Sequence, residues 1–424
     1  MKEHPYWLDT LPRSPAAPVA ALPARADVAI IGAGYTGLAA ARHLARAGAA
    51  VVVIERDDVG AGASSRNGGQ VLTGLKVDAA ALVTKFGEVR ARELFEISTR
   101  AITDLESVIA DERIDCGYAH TGHLMAAAKP SHFAGFRDEQ ALLARVFNQH
   151  VELVSRESQR SELGSDRYHG LLIDPGSRAI NPAQFVHGLA DAATRAGATI
   201  FPQMAVTRID HSGPDWRVNT TTGDVTVRHV LVATNGYTGR ATPGLQRRFV
   251  PIGSYIVTTE PLGEARATAL LPRNRMAFDS KNFLFYFRRT ADHRLLFGGR
   301  AEFSAPDADT TRRAAAILRT GMVDVFPELA DVRLDYAWGG NVAFTRDQMP
   351  HGGLLDGLHY AGGYCGHGIA MATHLGGQIA RRIAGESINH PFFDDGFAAI
   401  PLYTGRPWFL PFAGAYYRVL DWLQ

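Results

Sequence analysis

Cysteine is almost absent from this chain of 424 residues: Cys116 and Cys365 are the only two. They lie far apart in the chain and at no metal-binding spacing. They give no disulfide framework, and two isolated thiols suit a reducing cytoplasm. Lysine is nearly as scarce. Lys2, Lys76, Lys85, Lys129 and Lys281 are the whole set, and arginine supplies the rest of the 44 basic side chains. With 43 acidic residues the formal net charge is +1. Both signs are spread along the chain, so no basic stripe points to a nucleic-acid partner. No apolar run is long enough to span a bilayer, which argues against stable membrane insertion. The polar, Pro-rich first 25 residues lack the apolar core of a secretory leader. Internal repeats, low-complexity segments, a Ser-His-Asp set, metal-ligand clusters and carboxylate pairs at catalytic spacing are all missing.

What is present is concentrated near the start. Residues 27–55 read DVAIIGAGYTGLAAARHLARAGAAVVVIE, two apolar strands around an Ala-rich helix. Gly32, Gly34 and Gly37 fill the three glycine positions of G-x-G-x-x-G. The first allows the tight turn, the second lets backbone approach a pyrophosphate, and the third lets helix and strand pack closely. The phosphates are expected at the helix N-terminus, where free N–H groups and the macrodipole favour an anion. Gly48 is placed as a helix C-cap. Glu55 ends the second strand about twenty residues on, where an acid hydrogen-bonds ribose hydroxyls. The motif does not choose between NAD and FAD. Glu55 argues against a 2′-phosphate; Arg56 beside it pulls the other way and joins the cofactor-binding candidates.

Beyond this unit, a small-residue loop at 59–71, VGAGASSRNGGQV, suits backbone wrapped around a ligand. Helices are expected at 78–113, 133–147, 181–196, 310–326 and 369–383, from apolar residues at three- and four-residue spacing. Strands are expected at 120–127, 199–202, 205–211, 215–220, 226–233, 248–259, 283–289, 294–300, 333–344 and 359–363. Residues 151–178 read as irregular. The strand at 226–233 runs into a polar turn at Thr234–Asn235–Gly236, as at the ligand-binding edge of an open sheet. The strand at 359–363 runs into a second Gly turn and helix, so a second helix N-terminus is available to a ligand. The amphipathic tail, 408–424, is expected to pack on the body.

Several stretches fit one family. They are Tyr6–Trp7–Leu8, Ser65–Arg66–Asn67–Gly68–Gly69–Gln70, Gly253–Ser254–Tyr255, Tyr286–Phe287–Arg288, Leu295–Leu296–Phe297–Gly298–Gly299 and Gly366–His367–Gly368. With them the chain resembles the FAD-dependent D-amino-acid oxidase/glycine oxidase superfamily, and within it the γ-glutamylputrescine oxidases of the PuuB type. The resemblance implies an α/β fold, with a discontinuous Rossmann-like FAD-binding domain (20–85, 175–245 and 335–400). It also implies a second α+β substrate domain on a mixed antiparallel sheet (86–174 and 246–334). Residues 1–19 and 401–424 are expected as terminal extensions packed on the body.

By position, the resemblance has Gly32, Gly34 and Gly37 hold the pyrophosphate and Glu55 the ribose. Val206 touches the adenine through its backbone. Ser65, Arg66, Asn67 and Gly69 lie near the pyrophosphate and flavin ring, and Gly366, His367 and Gly368 at the flavin pyrimidine edge. Sarcosine oxidases of the superfamily attach FAD through a Cys shortly before the last Gly-rich turn. Here that region, GGNVAFTRDQMP, has none, so FAD is expected to be non-covalent, with Cys365 a packed residue of the turn. Those oxidases also carry an oxygen-activating Lys where this chain reads RLLFGGR. The electron acceptor is therefore left open between oxygen and another, with Lys281 a weaker substitute.

The implied activity is oxidation of a small-molecule primary or secondary amine to an imine, by hydride transfer to flavin N5, then hydrolysis. The alternatives are a glycine, sarcosine or D-amino-acid oxidase or dehydrogenase, and a non-catalytic flavoprotein. Four residues are candidates for substrate chemistry. His367 lies between two glycines at a helix start, and His351 on a loop that faces either pocket or water. In the strand at 283–288, alternation sets Phe283, Phe285 and Phe287 toward the core. Tyr286 and Arg288 then face the pocket, Arg288 as a fork for a substrate carboxylate.

Overall fold

The computed structural model describes residues 1–12, 21–299, 306–394, 397–410, 412 and 414. Most of the aromatic tail lies outside this set. Two eight-stranded sheets organise the described chain. The first grows from the glycine-rich unit. Strand Arg25–Ile31 lies at its centre, parallel to Asp224–Val232 on one side and to Val51–Ile54 on the other. Thr199–Phe201 and Leu358–Gly362 extend it in parallel, and His351–Leu355 closes one edge antiparallel. Strands Val206–Ser212 and Asp215–Thr220 fold as an antiparallel meander onto Asp224–Val232.

Apolar runs bounded by turns are what a sheet covered on both faces requires. Val28, Ile30, Val51 and Val53 pack toward helices Tyr35–Arg46, Pro182–Arg195 and Gly368–Ile383. Ala29, Ile31, Val52 and Ile54 face the other way, against Val218, Val225, Val230 and Tyr360. Local chemistry sets the helix ends. Asn181 accepts from the N–H groups of Ala183 and Gln184 with Pro182 behind it, and Asp78 caps helix Ala79–Glu112 through the N–H of Ala81. Gly48 takes φ +87 just past the first helix.

The second sheet runs in the order Leu334–Phe344, Val250–Thr259, Leu295–Gly299, Phe285–Arg289, Met276–Asp279, His123–Ala126, Leu171–Asp174, Glu152–Val154. Only the pairing of Met276–Asp279 with His123–Ala126 is parallel. Helix Ala308–Val325, opened by a capping box of Asp307 and Thr310, covers the outer face with Leu318 and Met322 against Phe287 and Phe297. The lead-in folds as a 3₁₀ turn, Tyr6–Thr10. It buries Tyr6 and Trp7 against Leu296, Tyr336 and Trp338.

The structure departs from the sequence reading in four places. The long helix kinks at Gly87 (φ 74°, ψ 162°). Residues 151–178 hold two strands, Leu171–Asp174 inside the second sheet and Glu152–Val154 at its edge. His351 begins a strand and does not lie on a loop. Strand Leu334–Phe344, which a boundary at 335 gives to the first domain, pairs along its length with Val250–Thr259 in the second sheet. Among the described residues no helix is long and apolar enough to cross a membrane, and no three metal-ligating side chains gather.

Candidate active site

A cavity of about 1050 Å³ runs from the carboxyl ends of the first sheet's strands to the inner face of the second sheet. That is the upper end of the usual range for small-molecule sites. Ile31, Ile54 and Val232 mark the strand ends on its wall, and Ala205 and Val206 border the same end.

At this end the glycines are required by space. A Cβ on Gly37 would stand 2.0 Å from the carbonyl oxygen of Gly32, and one on Gly32, at φ +106, 3.0 Å from that of Ala233. Gly34 is the N-cap of helix Tyr35–Arg46 and brings no side chain of its own to the first turn, whose first N–H is met by Ser64. Glu55 borders the cavity, accepting from the N–H groups of Ala33 (2.8 Å) and Asp57 (2.9 Å). The acid therefore fixes the glycine turn as well as facing the cavity. Arg56 also lines this end and pairs with Asp57 at 2.7 Å.

The 59–71 loop follows. Ser64 borders the cavity and its Oγ accepts from the N–H of Tyr35. Ser65 does not reach the cavity: it is buried, and its Oγ donates to Gly60 at 2.6 Å. The short helix Ala63–Arg66 turns successive side chains by about 100°, so only one of the two serines can face inward. Gly69 also stands behind the wall, where a Cβ would meet the Ile180 carbonyl at 2.2 Å. Arg66 and Asn67 line the cavity with their side chains largely spent on the loop. Arg66 donates to Ala61 and Gly339, and Asn67 donates to Ala63 and Ser64 while accepting from Gly69. Two buried indoles brace this loop from outside: Trp7 donates to the carbonyl of Asn67 and Trp338 to that of Arg66, each at 2.9 Å.

The second Gly turn faces the same cavity. Cys365 and Gly366 adopt positive φ (52° and 99°), and His367 is the N-cap of helix Gly368–Ile383, again without a side-chain cap. Asn235, from the polar turn of the neighbouring strand, accepts from the N–H of Gly363. Tyr364 joins the two helix starts through Thr36, at 2.6 Å. Cys365 is packed, its thiol donating to Gly363 at 3.2 Å, and burial raises its pKa. His367 borders the cavity with Nδ1 buried and unpartnered, and burial pushes its pKa down to about 3.

The opposite wall is the second sheet. Tyr286 lies on it, its hydroxyl 3.2 Å from Ser254 Oγ. Directly across in register is Gly298, where a Cβ would strike the Tyr286 ring at 2.3 Å, so the ring lies flat only because that position is glycine. Phe285 and Phe287 pack on Phe297 as the alternation requires.

Two candidates fall outside the cavity. Arg288 is largely buried, with Nη1 donating to the carbonyls of Gly69 (2.8 Å) and Ile180 (2.9 Å) and its guanidinium over the Trp7 ring. It ties the 59–71 loop to helix Pro182–Arg195 and is no fork for a ligand. His351 stacks on Phe397, 4.0 Å between ring centres, and its Nε2 meets Asp347 at 3.0 Å; it is a structural histidine. Of two other arginines near these strands in sequence, Arg346 is exposed and away from the cavity, and Arg300 lies outside the described residues.

Two more residues mark this wall: Lys281, which the sequence offered only as a weaker substitute for an oxygen-activating lysine, and His123, which it did not single out. Lys281 borders the cavity, its ammonium 2.9 Å from the buried carboxylate of Asp279 and 3.9 Å above the ring of Phe285. His123, 4% exposed, packs on Phe278 with its Nε2 unpartnered. Nothing in the run HLMA separates His123 from a surface histidine; only the pairing of its strand shows where it faces.

Comparison with known proteins agrees with this architecture. The family model for FAD-dependent oxidoreductases, DAO, matches residues 27–382. Gamma-glutamylputrescine oxidoreductase of Escherichia coli (strain K12) is 37% identical over 93% of this chain and 92% of its own. Among solved structures, glycine oxidase from Geobacillus kaustophilus superposes with a TM-score of 0.72 at 20% identity, covering 86% of this chain and 96% of the other. L-proline dehydrogenase from P. horikoshii gives 0.70 at 20%, covering 88% and 96%. With two uncapped helix starts, a glycine cradle and an acid at the second strand's end all facing one cavity, the chain belongs to the DAO family of FAD-dependent oxidoreductases, enzymes acting on amines and amino acids.

Proposed function

We propose that this enzyme oxidises the primary or secondary amine of an acid-bearing substrate resembling γ-glutamylputrescine. The imine formed then hydrolyses to an aldehyde and ammonia or a smaller amine. The observation that carries the reading is the continuity of one cavity from the glycine cradle to the Tyr286 wall. The residues present fit FAD. Gly32 and Gly34 would leave room for the pyrophosphate, with Gly37 letting the helix close on the turn; Glu55 would meet the ribose, and backbone at Val206 would border the adenine. Arg66, Asn67 and the Gly366–His367–Gly368 turn would surround the ring. Bound FAD supplies the two-electron acceptor for the hydride leaving the amine-bearing carbon.

The chain's own part is orientation and charge. His367 stays neutral, because burial holds its pKa near 3, so it offers a hydrogen bond to an amine without repelling one that carries a proton. Tyr286 gives an aromatic wall for the substrate chain. Lys281, held by Asp279, takes the carboxylate-binding part that sequence reasoning gave to Arg288. An α-amino acid needs its carboxylate bound one bond from the reacting carbon. The withdrawal of Arg288 favours an acid placed farther along the substrate. Oxygen or another acceptor reoxidises the flavin. Both thiols being free and buried supports a reducing cytoplasm as the working compartment.

The test is a substrate panel scored by flavin bleaching without oxygen, then by peroxide after admitting air. γ-Glutamylputrescine is expected to bleach the flavin at lower concentration than putrescine. Bleaching by glycine, sarcosine or a D-amino acid alone would replace this reading with that of an amino-acid oxidase.

A further inference from the structure

Among the described residues, three buried side-chain polar atoms without a hydrogen-bond partner lie on the cavity: His123 Nε2, His367 Nδ1 and Asn341 Oδ1. His367 and Asn341 stand with the cofactor-facing turns. His123 stands on the other wall, in strand His123–Ala126 of the second sheet. In register across that sheet its neighbours are Asp174 and Met276, so all three point to the same face. Met125 and Phe278 extend this face toward Tyr286. The imidazole is fixed by its packing on Phe278, ring centres 4.1 Å apart.

The one acid beside it is already committed. Asp174 accepts from Thr73 Oγ1, Ser177 Oγ, Gln149 Nε2 and the N–H of Gly176. Leaving a buried imidazole nitrogen without a partner is unfavourable, and a phenyl ring would fill the same space beside Phe278. A ligand that arrives with its own hydrogen-bonding group removes that penalty.

We propose that His123 positions the substrate's amine group, so that the amine is bracketed by imidazoles from both walls, His123 and His367. This rests on the amine-oxidation reading and adds the group that selects for nitrogen. Both rings remain neutral, since burial pushes each down to about 3, so the pair holds the amine by hydrogen bonding and not by charge. His123 is a positioning residue: it takes no part in the hydride step.

The test compares wild type, His123→Phe and His123→Asn as FAD-loaded enzymes. Probes are γ-glutamylputrescine and its analogue with a methyl group in place of the reacting amine. His123→Phe is expected to keep its FAD and flavin spectrum, and to melt at the same or a higher temperature. It should need at least tenfold more γ-glutamylputrescine for half-maximal anaerobic bleaching, while binding the methyl analogue as wild type does. His123→Asn, which retains polar atoms, should recover part of the loss. Unchanged bleaching by His123→Phe would mean that only water meets the imidazole, and would overturn the proposal. Loss of FAD or a shifted spectrum before any amine is added would assign His123 to the flavin instead. If wild type itself is bleached by none of the amines, the amine reading fails, and this proposal with it.

Discussion

Two pairs of histidines in this molecule, each with one ring buried and one half-buried, are built in opposite ways. His374 is closed into a chain of bonds: its Nδ1 meets Asp104 at 2.6 Å and its Nε2 meets His390 at 3.0 Å, while His390 Nδ1 accepts from the N–H of Phe392. His123 and His367 face the cavity with a nitrogen left open. Residue type and burial are alike; what differs is whether the protein supplies the partner. A closed set of bonds serves the fold, and an open one at a cavity wall awaits something from outside. Burial alone does not mark a functional histidine, and neither does an unpartnered atom alone. His351 also has an open Nδ1, but its Nε2 is held by Asp347 and its ring lies on Phe397, away from the cavity.

The sharpest way to break this comparison is through Arg288, a polar group that the fold itself uses. Arg288→Ala strands the carbonyl of Ile180, worth about 1–3 kcal/mol when left unsatisfied, and takes from the Gly69 carbonyl one of its two bonds, leaving it the N–H of Ile180. Urea denaturation is expected to show a loss of about 3 kcal/mol. The ratio of KM for γ-glutamylputrescine to KM for putrescine should stay where it was. A selective rise for the acid-bearing substrate would put the guanidinium back in the site. Next comes the closed histidine pair. His374→Phe removes a bond to a carboxylate and one to His390, for a loss of about 2 kcal/mol. Anaerobic bleaching per bound flavin should be unchanged. Equal stability of His374→Phe and wild type would erase the distinction between the two pairs.

The smallest effect is a slope. Burial pushes His123, His367 and His390 down to about 3, below the 6.5 of a free imidazole. Between these values the unfolded chain binds protons that the folded chain does not, so stability rises with pH there and falls on acidification. Melting temperature is expected to drop as pH falls from about 6.5 toward 4, and His123→Phe should shallow that drop by removing one of the three groups. A slope unchanged by His123→Phe would mean that its ring is not held neutral.

Much of the fold could be read locally because its causes are local. Gly32, Gly34 and Gly37 are demanded by contacts within a few residues or across one strand, and Asn181–Pro182 and Asp78 announce helix starts by their own side chains. One missed element carried a readable signal. Strand His351–Leu355 pairs with Leu358–Gly362 across Asp356–Gly357, both at positive φ, the Asp-Gly hairpin turn in its usual form. Other misses were not recoverable. Alternation sent Phe287 to the core and Tyr286 to the cavity, as found, yet Arg288 meets carbonyls from residues 69 and 180 that no local pattern brings near. Lys281 is a cation of the second-sheet wall because a buried Asp279 two residues earlier holds it there.

The Trp7 brace sets a schedule. Trp7 is made far ahead of Trp338 and Tyr336, with which it packs, and Tyr6 far ahead of Asp292, to which it bonds. At about 5–20 residues per second, some 330 residues take roughly 15–65 s to be made. For that interval the glycine turn and the loop it adjoins exist without their outer support, and the second helix start at Gly368 has not yet appeared. The full set of cavity-facing turns therefore exists only once Gly368 has been made, when the first and last thirds of the chain meet.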